Sequence, residues 1–384
     1  MATTMTEERA ALVEAVRDFA EAELEPYANQ WDAEKHFPVD TLRQAGEMGL
    51  GGVYVREDVG GSGLSRSDAV AIFEELARGD TTLAAYISIH NMVAWMIDRF
   101  GDEDQRHRWV PRLVTMEDLG SYCLTEPGAG SDAAALTTSA RRDGDHYVIN
   151  GTKQFISGAG TSAVYLLMAR TGGPGPDGIS AIVVPAGTAG MSFGPNEKKM
   201  GWNAQPTRQV MFDDVRVPVS YRLGAEGDGF KIAMKGLNGG RVNVAAASLG
   251  GAQWAFEKAA RYVQEREAFG APLAANQSIV FGLADMETEL HAARLLLQHA
   301  AQKMDDEAPD VAVACAKAKR FATDVAFQVA NTALQMHGGY GYLHEYGIER
   351  VVRDLRVHQI LEGTNEIMRV IIGREVLRRA KGMS

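Results

Sequence analysis

H-Q-I-L-E-G-T-N-E-I-M-R-V-I-I-G, residues His358 to Gly373, is the stretch from which the chain is best read. An apolar lead-in, Ile360 and Leu361, ends at Glu362. Gly363 then permits a turn, and Thr364 or Asn365 can cap a helix carrying Ile367, Val370 and Ile371 on one side. Glu362 therefore stands just outside a helix start. Greasy neighbours raise the pKa of a carboxyl held there, while the helix dipole and its free N–H groups lower it, and the net sign stays open. Taken alone, a Glu beside a Gly reads as a solvated loop acid.

Upstream of this stretch, apolar residues recur at three-and-four spacing. Val242, Leu249, Ala252, Phe256, Ala259 and Val263 mark one face; Leu283, Met286, Leu290, Ala293, Leu297 and Met304 a second; Ala314, Ala318, Phe321, Val325, Val329, Thr332 and Met336 a third. With the helix after Glu362 as the fourth, residues 229–384 are expected to form an antiparallel four-helix bundle.

Residues 121–228 have another texture. Short runs such as H-Y-V-I-N, A-V-Y-L-L-M-A, I-S-A-I-V-V-P and R-Q-V-M-F-D are separated by D-G-D, N-G, G-G-P-G-P and P-A-G. Those separators are turn chemistry, so a middle antiparallel β domain is expected. Residues 1–120 read as an N-terminal helical domain, opening behind a Thr4 to Glu7 capping box and interrupted by the glycine-rich stretch Gly49 to Gly63, which reads as turns. The fold class is thus mostly α with a central β domain. A chain of 384 residues exceeds what one core usually serves, which agrees with several packed units.

A net charge of −11 without an evident basic face argues against a nucleic-acid partner. No apolar run approaches the roughly 20 residues that cross a bilayer, so no membrane partner is expected. The first ten residues lack the apolar core of a secretion signal and are too acidic for a transit peptide, which suggests a mature or bacterial cytoplasmic protein. Cys123 and Cys315 lie far apart and read as buried small apolar residues in a reducing compartment. His337 and His358 lack partners at metal-ligand spacing, and no metal is expected. G-A-G-S-D-A (Gly128 to Ala133) and G-A-G-T-S-A (Gly158 to Ala163) fit a loose dinucleotide pattern but lack the strand–turn–helix context that a Rossmann site requires.

Four segments in register carry a family resemblance: Y-C-L-T-E-P-G-A-G-S-D (Tyr122 to Asp132), L-N-G-G-R (Leu237 to Arg241), L-Q-M-H-G-G-Y-G-Y (Leu334 to Tyr342) and I-L-E-G-T-N-E-I-M-R. Together they resemble the acyl-CoA dehydrogenases over nearly the whole chain. The resemblance implies an FAD enzyme in which Glu362 removes the α-proton of an acyl thioester while the β-hydrogen leaves as hydride to the flavin. The thioester oxygen would accept hydrogen bonds from the Glu362 backbone N–H and a ribityl hydroxyl. Electrons would pass to an electron-transferring flavoprotein, and the assembly would be a homotetramer.

By the same resemblance, Tyr122, Leu124, Thr125, Gly130 and Ser131 line the flavin on one side, and Phe155, Ile156 and Ser157 on the other. Arg266, Phe269, Asn276, Gln277, Gln335, Met336, His337, Gly338 and Gly339 would hold the diphosphate and adenine half, in relatives partly from a neighbouring subunit. Thr364, Asn365 and Glu366 are further cofactor candidates. Substrate would meet Ser131, Asn238, Gly239, Gly240, Arg241, Leu361, Gly363 and Arg374. Read singly, Arg241 is a solvated helix end, Arg266 part of a charged helix surface, and Gly338 with Gly339 a helix C-cap. Some family members place their base immediately before the arginine equivalent to Arg241; here that position is Gly240, which leaves the role to Glu362.

Many straight-chain members have Tyr before the base, whereas this chain has Leu361, which would open room for a methyl branch. G-V-Y-V-R-E-D-V-G-G-S-G-L-S-R and A-Y-I-S-I-H-N-M-V-A-W-M-I-D are similar to the branch of the family that oxidises isobutyryl-CoA in valine breakdown. The alternatives are 2-methylbutyryl-CoA or a short straight-chain substrate, an oxidase of the same fold, and a non-catalytic acyl-CoA-binding protein.

Overall fold

The computed structural model describes residues 7–382; Thr4 of the expected capping box lies outside them. Helices α1 (Glu7–Phe19), α2 (Ala28–Glu34), α3 (Val39–Glu47), α4 (Arg66–Gly79), α5 (Thr81–Phe100) and α6 (Glu103–Val114) come first. Ser65 and Asp68 form a reciprocal capping box at the start of α4, and Asp102 and Gln105 form another at α6, satisfying N–H groups that a helix start leaves free.

Strands β1 (Gly120–Cys123), β2 (Ser139–Asp143), β3 (His146–Ser157), β4 (Val164–Arg170), β5 (Ile179–Pro185), β6 (Met191–Phe193), β7 (Thr207–Pro218) and β8 (Arg222–Leu223) form one sheet in the order β6-β7-β3-β2-β4-β5-β8. The sheet is antiparallel except beside β4, where β1 and one residue pair of β2 run parallel to it. Val164, Leu166 and Met168 of β4 face a core shared with α5 and α6, while Tyr165, Leu167 and Ala169 face a second core. Burial on both faces explains the unbroken apolar run V-Y-L-L-M-A.

Two short strands, β9 (Glu267–Ala268) and β10 (Ala271–Pro272), separate α7 (Gly229–Glu265) from α8 (Gln277–Asp305). Helices α9 (Val311–His337), α10 (Ile348–His358) and α11 (Asn365–Gly382) follow. The expected apolar stripes of α7, α8 and α9 are buried or half-buried and pack on one another. The fourth stripe differs from expectation. It is two helices, α10 and α11, both packed on α9 and separated by the turn that carries Glu362. On α11 the buried apolar residue is Met368, while Val370 is 43% exposed. Side chains from α1, α4, α5, α7, α8, α9 and α10 share one continuous core, so the two helical parts of the chain bury each other. Among the described residues, no helix is long and apolar enough to cross a membrane.

Candidate active site

Glu362 and Gly363 occupy the turn between α10 and α11, both with positive φ, 56° and 89°. A left-handed backbone costs a non-glycine residue about 1–2 kcal/mol, so the surroundings must impose it. Here they do so by gripping successive carbonyls. Arg241 Nε donates to Glu362 O at 3.1 Å, and Lys319 Nζ donates to Gly363 O at 2.8 Å. Asn365 N closes the turn on Gln359 O at 3.0 Å, and Thr364 Oγ1 caps α11 by accepting from Ile367 N at 3.3 Å.

Glu362 is half-buried as a residue, yet its carboxyl points inward, where Oε2 is buried with no protein partner. Burial raises its pKa to about 7, against the opposing pull of Arg241 and Lys319. Desolvation therefore wins the contest that the sequence leaves open.

The face of α7 beneath this carboxyl is N-G-G-R. The helix runs straight through both glycines, so Arg241 is not a solvated helix end but a mid-helix residue 5% exposed, with Nη1 donating to Asn238 Oδ1 at 2.9 Å. A β-carbon on Gly239 would lie 2.8 Å from Arg66 Nη1. Arg66 is itself 8% exposed, with its guanidinium carbon 3.4 Å from the Tyr54 ring centroid and 4.8 Å from that of Trp95. Tyr54 Oη accepts from Asn243 Nδ2 at 3.0 Å. The Tyr122 hydroxyl is buried without a partner; burial first, and then the charge of Glu362, hold it protonated. Among the described residues, Glu362 Oε2, Arg66 Nη1, Asn243 Oδ1 and Tyr122 Oη thus lack protein partners. Each unpaired buried group costs about 1–3 kcal/mol, so a polar ligand belongs here.

Tyr122 leads into T-E-P-G-A-G-S-D, which the structure brings against the Phe155 segment. Gln154 N donates to Thr125 O at 2.8 Å, and Ser121 Oγ donates to Ser157 O at 2.6 Å. Below the loop, Lys153 Nζ donates to Leu124 O at 2.9 Å and to Glu126 Oε1 at 2.8 Å. Burial pushes the Glu126 carboxyl up, but Lys153 and the Thr137 and Thr138 donors outweigh it, and its pKa falls to about 2. This ion pair fixes the loop from beneath while its rim stays open. Gly130 and Ser131 are exposed, and β-carbons at Gly128 or Gly130 would meet nothing within 4 Å. Phe155, at a bulge in β3 with φ 59°, presents a ring 63% exposed, while Leu124 and Ile156 are buried.

A second set gathers at the end of α9. Arg266, Gln335, Met336, His337, Gly338 and Gly339 line a cavity of ≈ 580 Å³ with Tyr262, Leu273, Ile279, Tyr340 and Leu343. The Arg266 guanidinium lies 5.6 Å from the Tyr340 ring centroid and forms no ion pair among the described residues. His337 stacks on Tyr262 at 4.3 Å. Phe269 is fully exposed, Asn276 caps α8 through Ser278 N, and Gln277 is exposed beside it; none of the three lines this cavity.

Around the turn, the candidates diverge. Leu361 and Gly363 stay beside Glu362 by sequence, but the Asn365 side chain is committed to α9, with Nδ2 donating to Asp324 Oδ1 at 2.7 Å. Glu366 is exposed and paired with Arg369, and Arg374 is exposed further along α11. His358 is fully buried between Ser248 and Trp202, and burial lowers its pKa to about 3.

Three sequence profiles, the N-terminal, middle and C-terminal domains of acyl-CoA dehydrogenases, match residues 6–117, 121–215 and 227–377. The chain belongs to the acyl-CoA dehydrogenase family. It is 56% identical to the mitochondrial isobutyryl-CoA dehydrogenase of Bos taurus over 97% of this chain and 90% of that one. The isobutyryl-CoA dehydrogenase of Dictyostelium discoideum is 53% identical over the same shares, 97% and 90%. A chain solved in work on the electron transferring flavoprotein of Acidaminococcus fermentans and flavin-based electron bifurcation superposes with a TM-score of 0.96 at 38% identity, covering 98% of this chain and all of that one.

As a member of this family the dehydrogenase is an FAD-dependent oxidoreductase. Its residues fit that cofactor. The open loop rim and the exposed Phe155 ring suit a flat heteroaromatic ring system, and an arginine free of acidic partners beside a cavity suits a diphosphate. Tyr54, Arg66, Asn243 and Lys319 were not expected from sequence. Lys319 alone carried a signal, since it falls on the buried 315, 322, 326 line of α9, where a charge is anomalous.

Proposed function

We propose that this dehydrogenase oxidises a short branched acyl-CoA, isobutyryl-CoA to methacrylyl-CoA, as valine breakdown requires, with Glu362 as the base. The observation that carries this is the Glu362 carboxyl, held inward on Gly240 with an unpartnered Oε2 and a pKa near 7. A base with that pKa is largely ionised just above neutrality and still basic enough to accept an α-proton. Such help is typically worth 10²–10⁴-fold.

The Glu362 backbone N–H would polarise the thioester oxygen, the acid developing at the α-carbon as it does so. Loss of such a contact costs on the order of 3 kcal/mol in comparable sites. FAD, when bound, supplies the acceptor for the β-hydrogen as hydride. Tyr122, Leu124, Thr125, Gly130, Ser131 and the Phe155–Ser157 segment would flank its ring, and Arg266 with Gln335 to Gly339 would hold its diphosphate end. Arg241 orients the base through the Glu362 carbonyl, and Ser131 and Asn238 would meet the CoA arm.

Similarity to two isobutyryl-CoA dehydrogenases above 50% identity supports the branched substrate, as does Leu361 beside the base. Likeness to a chain studied with an electron transferring flavoprotein supports such a protein as electron acceptor. A homotetramer is part of the same reading; exposed Val280, Phe281, Val376 and Leu377 on α8 and α11 supply apolar surface for it. Both cysteines are free and buried, as suits a reducing, cytoplasmic setting. Steady-state comparison of isobutyryl-CoA, 2-methylbutyryl-CoA and butyryl-CoA tests the substrate; a clear preference for butyryl-CoA refutes it.

A further inference from the structure

Lys319 is fully buried, on α9 directly behind the Glu362 turn, and no carboxylate among the described residues lies within ion-pair distance of it. Its ammonium donates to Gly363 O at 2.8 Å and Asn365 Oδ1 at 2.9 Å. Other bonds already secure the ends of this turn. Asn365 Nδ2 and Gln359 Nε2 converge on Asp324 Oδ1 at 2.7 and 2.8 Å, and Asn365 Nδ2 also reaches Thr323 Oγ1 at 3.0 Å. Among the described residues, the two carbonyls in the middle of the turn are each held by a cation, Arg241 on that of Glu362 and Lys319 on the next.

An uncharged amide could serve both acceptors without the heavy desolvation that a buried ammonium suffers. The acid whose charge acts most strongly on Lys319 is Glu362. The other charged or titratable groups of that pocket are the guanidinium groups of Arg241 on α7 and Arg66 at the start of α4, and the buried phenols of Tyr122 on β1 and Tyr54 ahead of α4, both held protonated; Cys315 near Arg241 is a buried thiol and His358 near Lys319 is neutral. Burial brings Lys319 down to about 8, so it is still mainly an ammonium at pH 7.

We infer that Lys319 is a positioning residue for the base: its ammonium fixes the Gly363 carbonyl, and with it the left-handed turn, and adds to Arg241 a second positive charge against which Glu362 ionises. This rests on Glu362 being the base, and it adds a regulating role for pH. Below about 8 the ammonium favours the carboxylate; above that, its deprotonation withdraws the support.

The test uses the FAD holoenzyme with K319M and K319Q, the second keeping a donor without the charge. The first readout is the pH dependence of kcat/KM with isobutyryl-CoA; the second is hydrogen-exchange protection of the amides of residues 359–366, which needs no turnover. In both variants the acid limb of the profile should move alkaline by about one pH unit, the size of shift a nearby charge produces. K319M should also lose protection in the turn, and K319Q should retain more of it. An unmoved acid limb in either folded variant overturns the charge role, and unchanged protection in K319M overturns the positioning role. If E362Q in the wild-type background keeps full activity, the reading of Glu362 fails instead, and exchange alone then judges the hold of Lys319 on the turn.

Discussion

A β-carbon on Gly240 would lie 2.6 Å from Glu362 Oε2 and 2.8 Å from its Cδ. The Glu362 carboxyl rests on a bare stretch of helix, and no side chain fits between them. G240A should therefore swing the carboxyl away and lower kcat/KM by about 10²-fold, the order expected when a reacting group is misplaced by an ångström. The helix tolerates Ala, so the thermal midpoint should change little. The proximity also predicts that E362G/G240E, which delivers a carboxylate to the same spot from α7, recovers measurable activity over E362G. Steady-state kinetics with a thermal scan checks both.

Burial raises Glu362 from its ordinary value to about 7, so two pH effects follow. Activity should rise with pH through about 7, as the carboxyl loses its proton. Stability should move the other way: a folded pKa above the unfolded one favours the folded state below about pH 4.5, and that contribution is lost as pH climbs to about 7. E362Q should thus raise the thermal midpoint at pH 8 and lose that advantage by pH 5. Calorimetry at the two pH values decides.

The loop that carries Tyr122 to Ser131 is pinned by the buried pair of Lys153 and Glu126. K153M leaves the Glu126 carboxylate unpaired inside the protein, which should cost on the order of 3 kcal/mol and loosen the flavin. K153M/E126Q, with neither charge, should regain part of the loss. Thermal unfolding followed alongside release of flavin fluorescence separates the two effects.

Arg266 lies beside the α9 cavity without an acidic partner among the described residues. R266A should weaken FAD about 10- to 100-fold, as expected when a charge-assisted hydrogen bond is removed, with kcat at saturating FAD nearly unchanged. Titration of the apoprotein with FAD gives the answer, and unaltered affinity would remove Arg266 from the cofactor set.

Much of the architecture was legible because burial is periodic. Val242 to Val263, Met286 to Leu297 and Ala314 to Met336 announce three long helices, and the runs between turn dipeptides announce β3, β4, β5 and β7. What stayed hidden rests on polar residues in apolar places. The inner face of α10 includes Arg350, Asp354 and His358, so its stripe is masked. Gly239 and Gly240 suggest a break, yet α7 continues because Arg66 and Glu362 take the space their side chains would fill. The parallel seat of β1 beside β4 is a long-range pairing with no local mark. Glu362 was legible as a residue, but its raised pKa was not, since that depends on how deeply the turn buries its carboxyl, a rise that Arg241 and Lys319, remote in sequence, only partly oppose.

The central claim is that Glu362 takes the α-proton of a short branched acyl-CoA in an FAD-loaded site. Anaerobic titration of the purified holoenzyme with isobutyryl-CoA, following the flavin absorbance, tests it most directly. The wild type should bleach and E362Q should not, or only about 10²–10⁴-fold more slowly. Equal bleaching by the two proteins, or none by the wild type with any short acyl-CoA, would contradict it.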